Sequence, residues 1–144
     1  MSLFTLHPQL AADTIELGNL PVCKVLLIND SQFPWLILVP RRNDISELYE
    51  LNETDIEKVQ HESLAVSKLL MEHFEGDKLN VAALGNLVPQ LHIHHIVRFK
   101  TDVVWPKPVW GATQPTPYEQ SESDKVSTSL KALLSSMNIG FISC

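Results

Sequence analysis

The sequence predicts an α+β fold: an antiparallel sheet of about five strands, a long helix on one face, an extended C-terminal wrap and a final helix. Three observations predict it. Short apolar, β-branched runs recur between turn residues, at Val22–Asn29, Trp35–Val39, Lys78–Leu84 and Gln90–Phe99. One stretch beginning at Asn52 keeps a helical period, with Ile56, Val59, Val66, Leu70 and Phe74 on one stripe. After Thr101, Pro106, Pro108, Pro115 and Pro117 interleave with Trp105, Trp110 and Tyr118, a composition that suits neither a helix interior nor a central strand.

Taken in order, residues 5–13 fit a short helix entered through Pro8, because proline is tolerated at a first helical position. Thr14–Leu20 alternates weakly and reads as an edge strand closed by Gly18-Asn19, with Pro21 barred from a central ladder. Val22–Asn29 and Trp35–Val39 then form an antiparallel hairpin through the turn-forming Asp30–Pro34. Pro40–Asp44 stops the second strand, and Ile45–Leu51 is long enough for one helical turn. The long helix spans roughly 53 to 75, capped by Asn52 with Asp55 in its first turn and ended by Gly76. Lys78–Leu84 and Gln90–Phe99, joined by Gly85–Pro89, are expected to pair side by side and antiparallel. The final helix starts at about Ser123, places Val126, Leu130, Leu133 and Leu134 on one face, and leaves Ile139–Ile142 trailing beyond it.

The totals narrow the class. A chain of 144 residues with 44% hydrophobic content can bury a substantial core. With no internal repeat and no composition shift of domain size, residues 1–144 are expected to form one domain. A formal charge of −6 argues against a nucleic-acid polymer as partner, which calls for a basic face. A small phosphate ligand needs only a local cluster of donors, for which Arg41, Arg42, Arg98, Lys100 and Lys107 are candidates. Cys23 in an apolar run and Cys144 at the last position do not suggest a disulfide framework. No stretch has the ~18 consecutive apolar residues of a membrane span, so a cytoplasmic protein without a membrane partner is expected.

The sharpest feature is Gln90-Leu91-His92-Ile93-His94-His95-Ile96-Val97-Arg98, which holds three of the six histidines within four positions. On a strand, Gln90, His92 and His94 point one way and His95 the other. His95 is therefore expected on the packed side. For His92 and His94 two chemistries compete. A metal site would need at least a third protein ligand, and the chain offers poor ones: Gln90 ligates weakly, and His7, His61 and His73 fall on predicted helical surfaces. The other chemistry is nucleophilic attack on phosphorus by a neutral imidazole whose second nitrogen is held by an acceptor, with flanking donors on the non-bridging oxygens.

The segment Asn86–Arg98 resembles the histidine triad (HIT) motif, His-φ-His-φ-His-φ-φ with φ apolar, in its bacterial variant beginning with glutamine. The hairpin Cys23–Pro40, with Asn29-Asp30 ending its first strand, is similar to the family's nucleotide-cradling hairpin, and Trp105–Gly111 resembles the tail of that subgroup. The resemblance covers about residues 5–111 and leaves 112–144 as an extension. Family members commonly carry an arginine four positions after the last triad residue; Arg98 thus matches His94 to that residue and His92 to the central one.

The resemblance implies that His92 is the nucleophile forming a nucleotidyl-histidine intermediate, His94 a phosphate donor and Gln90 the replacement of the first histidine. It further implies that Asn86 contacts the scissile phosphate region, that Asp30 and, less directly, Asn29 hold ribose hydroxyls, and that Arg98 belongs to the substrate-binding set. The implied activity is hydrolysis or nucleotidyl transfer on a phosphoanhydride or phosphoramidate of a purine nucleotide, such as a dinucleoside polyphosphate. The alternative is a nucleotide-binding regulatory module with little catalysis, since Gln90 cannot exchange a proton near neutral pH. The covalent step requires no cofactor or metal, although a divalent cation can accompany a polyphosphate substrate. A homodimer is expected.

Overall fold

The computed structural model describes residues 3–144. Six strands form one fully antiparallel sheet: β1 (Thr14–Asn19), β2 (Cys23–Ile28), β3 (Trp35–Pro40), β4 (Lys78–Ala82), β5 (Ile93–Arg98) and β6 (Ile142–Ser143), in the order β4-β5-β3-β2-β1-β6. The predicted hairpin is β2–β3, with Leu26 opposite Ile37, and the predicted β4–β5 pair sets Val81 opposite His95. The sixth strand is the stretch expected to trail free. Ile142 and Ser143 pair with Asn19 and Gly18, so β1 is not the edge the sequence suggests. Gly18 makes this approach possible: at φ 154° and beside a register shift, a Cβ there would lie 2.2 Å from the Ile142 carbonyl oxygen.

Helix α1 (Pro8–Asp13) precedes the sheet; α2 (Glu53–Phe74) and α3 (Gln120–Ser136) pack on one of its faces. Asn52 caps α2 as predicted, its side chain accepting the Asp55 N–H at 2.8 Å. The helix ends at Phe74, one residue earlier than expected, with Glu75 as its cap in the left-handed conformation. Gly76 is needed for a different reason. A Cβ there would meet Val97 Cγ1 at 2.3 Å, so the chain can turn into β4 only by passing flush against β5. The turn predicted within Ile45–Leu51 is a 3-10 helix at Leu48–Glu50, and α3 begins three residues ahead of Ser123.

The sheet is covered on both faces. Val25, Leu27, Leu36, Leu38, Ile93 and Val97 join Val59, Val66 and Leu70 of α2 and Leu130 and Leu134 of α3 in the main core. On the other face Leu26, Ile37 and Val39 meet Leu10 of α1, while Ile96 meets Phe33 of the β2–β3 turn and Val109 of the C-terminal wrap. Every residue of β5 is buried as a consequence.

Carboxylates tie the periphery to this core. Glu62 on α2, 2% exposed, accepts the N–H groups of Val22 and Cys23 at 2.7 and 2.9 Å. Burial, reinforced by Glu62, pushes the Cys23 thiol far up, so it packs as a neutral apolar group. Asp55 takes a two-pronged ion pair from Arg42 at 2.7 and 2.9 Å. Among the described residues no helix is long and apolar enough to cross a membrane.

Candidate active site

Strand alternation places the histidines as the sequence predicts. His95 faces α2, fully buried, with Nδ1–H donating to the Ile93 carbonyl at 3.0 Å and Nε2 accepting from the Ser63 hydroxyl at 2.7 Å. Burial pushes it down from the usual imidazole value to about 4, against a smaller upward pull from the Ile93 and Leu36 backbone. It is a neutral bridge between β5 and α2.

His94 lies opposite Ile37 on the other face, where Trp35 of β3 is a diagonal neighbour. The indole N–H of Trp35 donates to His94 Nδ1 at 2.9 Å. Burial, followed by the nearby His92 and His95 rings, pushes His94 down to about 3, so the ring is neutral and its proton sits on Nε2. Trp110 of the wrap stands edge-on to His94, with centroids 5.3 Å apart.

His92 comes one residue before the ladder begins, since β5 starts at Ile93 rather than at Gln90. Its ring centroid is 5.0 Å from that of His94. Because a carbonyl can only accept, the 2.7 Å contact between His92 Nδ1 and the Gln90 carbonyl is an Nδ1–H donation, and the neutral ring keeps a lone pair on Nε2. A lone-pair nitrogen and an N–H donor thus stand side by side.

Both line a cavity of ≈ 970 Å³. Its walls include His7 and Asp13 at the two ends of α1, Asn86 in the loop after β4, Asp30 in the turn after β2, and Trp35 and Trp110. Asp30 is 3% exposed and receives three donors on Oδ1, from Gln32 N, Gln32 Nε2 and Thr116 N at 3.1, 3.1 and 3.2 Å. Among the described residues neither lysine nor arginine lines this cavity, and no group of three or more His, Cys, Asp or Glu side chains is arranged to hold a metal ion.

Of the residues expected in the site, His92, His94, Asp30 and Asn86 come together in the cavity; Gln90, Asn29 and Arg98 do not. The Gln90 side chain leaves the row and grips the N-terminal segment, accepting His7 N–H at 2.8 Å and donating to the Thr5 carbonyl at 2.9 Å. The turn before β5 frees it from the strict alternation that put it beside His92. Asn29 accepts the Tyr118 N–H at 3.0 Å and so clips the end of the wrap to β2.

Arg98 is 1% exposed and fully engaged elsewhere. Its guanidinium donates to Asp102 at 2.8 and 3.0 Å and to Asn80 Oδ1 at 2.9 Å, between the rings of Phe33 and Trp105. The same pairing holds Asp102 below the usual carboxylate range. Arg41 and Arg42 are likewise committed, to the Leu20 and Pro21 carbonyls and to Asp55.

Three cavity residues escaped the sequence reading. His7 caps α1, its Nδ1 accepting the Gln9 N–H at 3.1 Å, instead of lying on a helical surface; its place directly before Pro8 was the available signal. Trp35 and Trp110 were expected only as strand and anchor residues, and their contact with His94 depends on long-range pairing that local pattern does not carry.

The chain and its fold have counterparts. The HIT domain family matches residues 10–101. A histidine triad protein from Marinobacter aquaeolei VT8 is 51% identical, with 94% of this chain and 98% of that chain covered, at a TM-score of 0.91. A histidine triad protein from Bradyrhizobium japonicum is 46% identical over 91% of this chain and 98% of that one, at 0.88. A third, from Sinorhizobium meliloti 1021, is 40% identical over 90% and 96%, at 0.87. No curated protein matches the chain. The fold is that of an α+β histidine triad protein, and the chain belongs to the HIT family. Membership supports, in general terms, nucleotide binding or nucleotide hydrolase or transferase activity.

Proposed function

We propose that the protein hydrolyses or transfers a nucleotidyl group from a phosphoanhydride or phosphoramidate of a purine nucleotide through an intermediate on His92. The observation that carries this reading is the hydrogen bond from His92 Nδ1 to the Gln90 carbonyl, which fixes the tautomer and leaves Nε2 bare beside the N–H of His94. In the first step the Nε2 lone pair attacks the α-phosphorus; an N–P bond forms and the bond to the leaving group breaks with its electron pair, a phosphate departing as the anion and an amine departing neutral with a proton taken from solvent. The Gln90 carbonyl stabilises the positive charge that develops on the ring. Water then attacks phosphorus, the N–P bond breaks and its electron pair returns to Nε2, while the water's proton is released with the nucleoside monophosphate.

His94 Nε2–H acts as donor to a non-bridging oxygen throughout. Because its Nδ1 is held as the acceptor of the Trp35 indole N–H, the ring cannot switch tautomers and Nε2 remains a donor. Asp30 Oδ2, which has no protein donor among the described residues, is suited to accept ribose hydroxyls, and Asn86 to reach the phosphate region. The covalent step invokes no cofactor. A divalent cation would enter only as the companion of a polyphosphate substrate. The reading includes a homodimer in the cytoplasm, which sedimentation of the purified protein and cell fractionation test.

Quenching the enzyme during turnover of a dinucleoside polyphosphate or a nucleotide phosphoramidate should trap an acid-labile, base-stable adduct on His92. Full activity in a folded His92→Ala variant would refute the mechanism. One observation favours a second reading, a nucleotide-binding module with little catalysis: Gln90 brings no titratable group to the row, and its amide is occupied by backbone. Tight AMP binding without turnover of any substrate in such a panel would select it.

A further inference from the structure

The N-terminal segment before α1 is held by two side-chain amides in succession. Asn43 Nδ2 donates to the Leu3 carbonyl at 2.9 Å and its Oδ1 accepts Thr5 N–H at 3.2 Å; Gln90 then takes the Thr5 carbonyl and His7 N–H. Four backbone groups within five residues are thereby fixed from outside the segment. The residue delivered at the end of this clamp is His7, which lines the same cavity as His92 and His94. Its Nδ1 is occupied as acceptor of the Gln9 N–H at 3.1 Å. The neutral ring must therefore carry its proton on Nε2.

We infer that His7 is a third imidazole of the site, donating Nε2–H to an oxygen of the bound nucleotide's phosphate chain, and that Gln90 is the positioning residue that holds it there. This inference rests on the nucleotide reading above. It explains how a row that begins with glutamine retains a donor beyond His94: both polar ends of the Gln90 amide are bonded to backbone and cannot meet a phosphate, but they fix the segment carrying an imidazole that can. It also suits a phosphate site whose described lining has no lysine or arginine and must draw its donors from neutral N–H groups. No proton is transferred by His7; protonation at Nδ1 would set an N–H against the N–H of Gln9.

The test measures AMP binding and steady-state turnover of an adenosine phosphoramidate and a dinucleoside polyphosphate for wild type, His7→Ala, His7→Gln, Gln90→Ala and His92→Ala, with thermal melting for each. His7→Ala should lose about 10- to 100-fold in AMP affinity or kcat/KM, the range for a hydrogen bond to a charged group, with melting lowered by no more than the loss of the α1 cap accounts for. His7→Gln, whose amide can place an N–H near the same point, should recover a substantial part of that loss. Gln90→Ala should reproduce His7→Ala, and the double variant should be no worse than either single one. If His92→Ala abolishes turnover while His7→Ala binds and turns over like wild type, the inference fails and the His92 mechanism stands. If wild type neither binds AMP nor turns over either substrate, the nucleotide reading itself fails and this inference with it. A His7→Ala loss that His7→Gln does not relieve would assign His7 a purely structural role and overturn the donor assignment.

Discussion

His94 and His95 are neighbours in the chain, both nearly or fully buried and both pushed well below the ordinary imidazole range by burial, yet they serve different parts of the molecule. His94 gives its Nδ1 to an indole donor and turns an N–H toward a cavity; His95 gives its Nδ1–H to a carbonyl and turns a lone pair toward a serine on α2. Burial and charge state do not separate them. What does is the partner of the second nitrogen, which decides whether the remaining nitrogen donates or accepts, and the face of the strand, which decides to whom.

Substitutions can break or sharpen this contrast. The largest effect is expected on the cavity side: His92→Ala should reduce turnover by about 10³-fold or more, read as kcat under saturating substrate, with melting nearly unchanged. Next, Trp35→Phe removes the indole N–H that fixes the His94 tautomer together with part of the ring packed on Phe33 and Trp110, and kcat should fall by about tenfold. On the helix side the signs reverse. His95→Val should cost about 2 kcal/mol by urea denaturation, through the unpaired Ser63 hydroxyl and lost packing, and leave kcat within about twofold. A His95→Val protein that melts normally but does not turn over would exchange the roles of the two faces.

The contrast also has a pH dependence of stability, read without any substitution at the cavity. His95 binds its proton near pH 4 in the folded chain and near 6.5 when unfolded, so between those values the unfolded state holds the extra proton. Stability is therefore full above about pH 6.5 and falls as the pH drops toward 4, by on the order of 3 kcal/mol for this residue. His94, with its folded value near 3, adds a slope of the same sign. Denaturation curves at stepwise pH should be flatter for His95→Val than for wild type; an unchanged acid slope would remove His95 from the account.

The sequence carries the fold where periodicity is strong. The hairpin β2–β3, the pair β4–β5, the Asn52 cap of α2 and the split of His94 from His95 all follow from period and turn chemistry alone. It carries less where partners are distant. β6 is two residues long and exists through Gly18, which admits the Ile142 backbone, so no local pattern announces it. Gln90 departs from the row because strand geometry starts only at Ile93, and alternation does not extend into the preceding turn. His7 reaches the cavity and Trp110 the ring of His94 from segments on either side of β5 in the chain, through an arrangement that a one-dimensional reading has no means to rank.

Arg98 has a consequence beyond its own burial. Its pair with Asp102 joins the last residue of β5 to the first turn of the wrap, and the same carboxylate also accepts the N–H groups of Phe99 and Val104 at 3.1 and 3.2 Å. The floor of the cavity, which bears His94, and the roof, which brings Trp110 over it, are therefore cast as one rigid bracket with this ion pair at the bend. A charge change at Arg98 or Asp102 would tilt the roof without touching anything beneath it, and would register as altered access to the imidazoles.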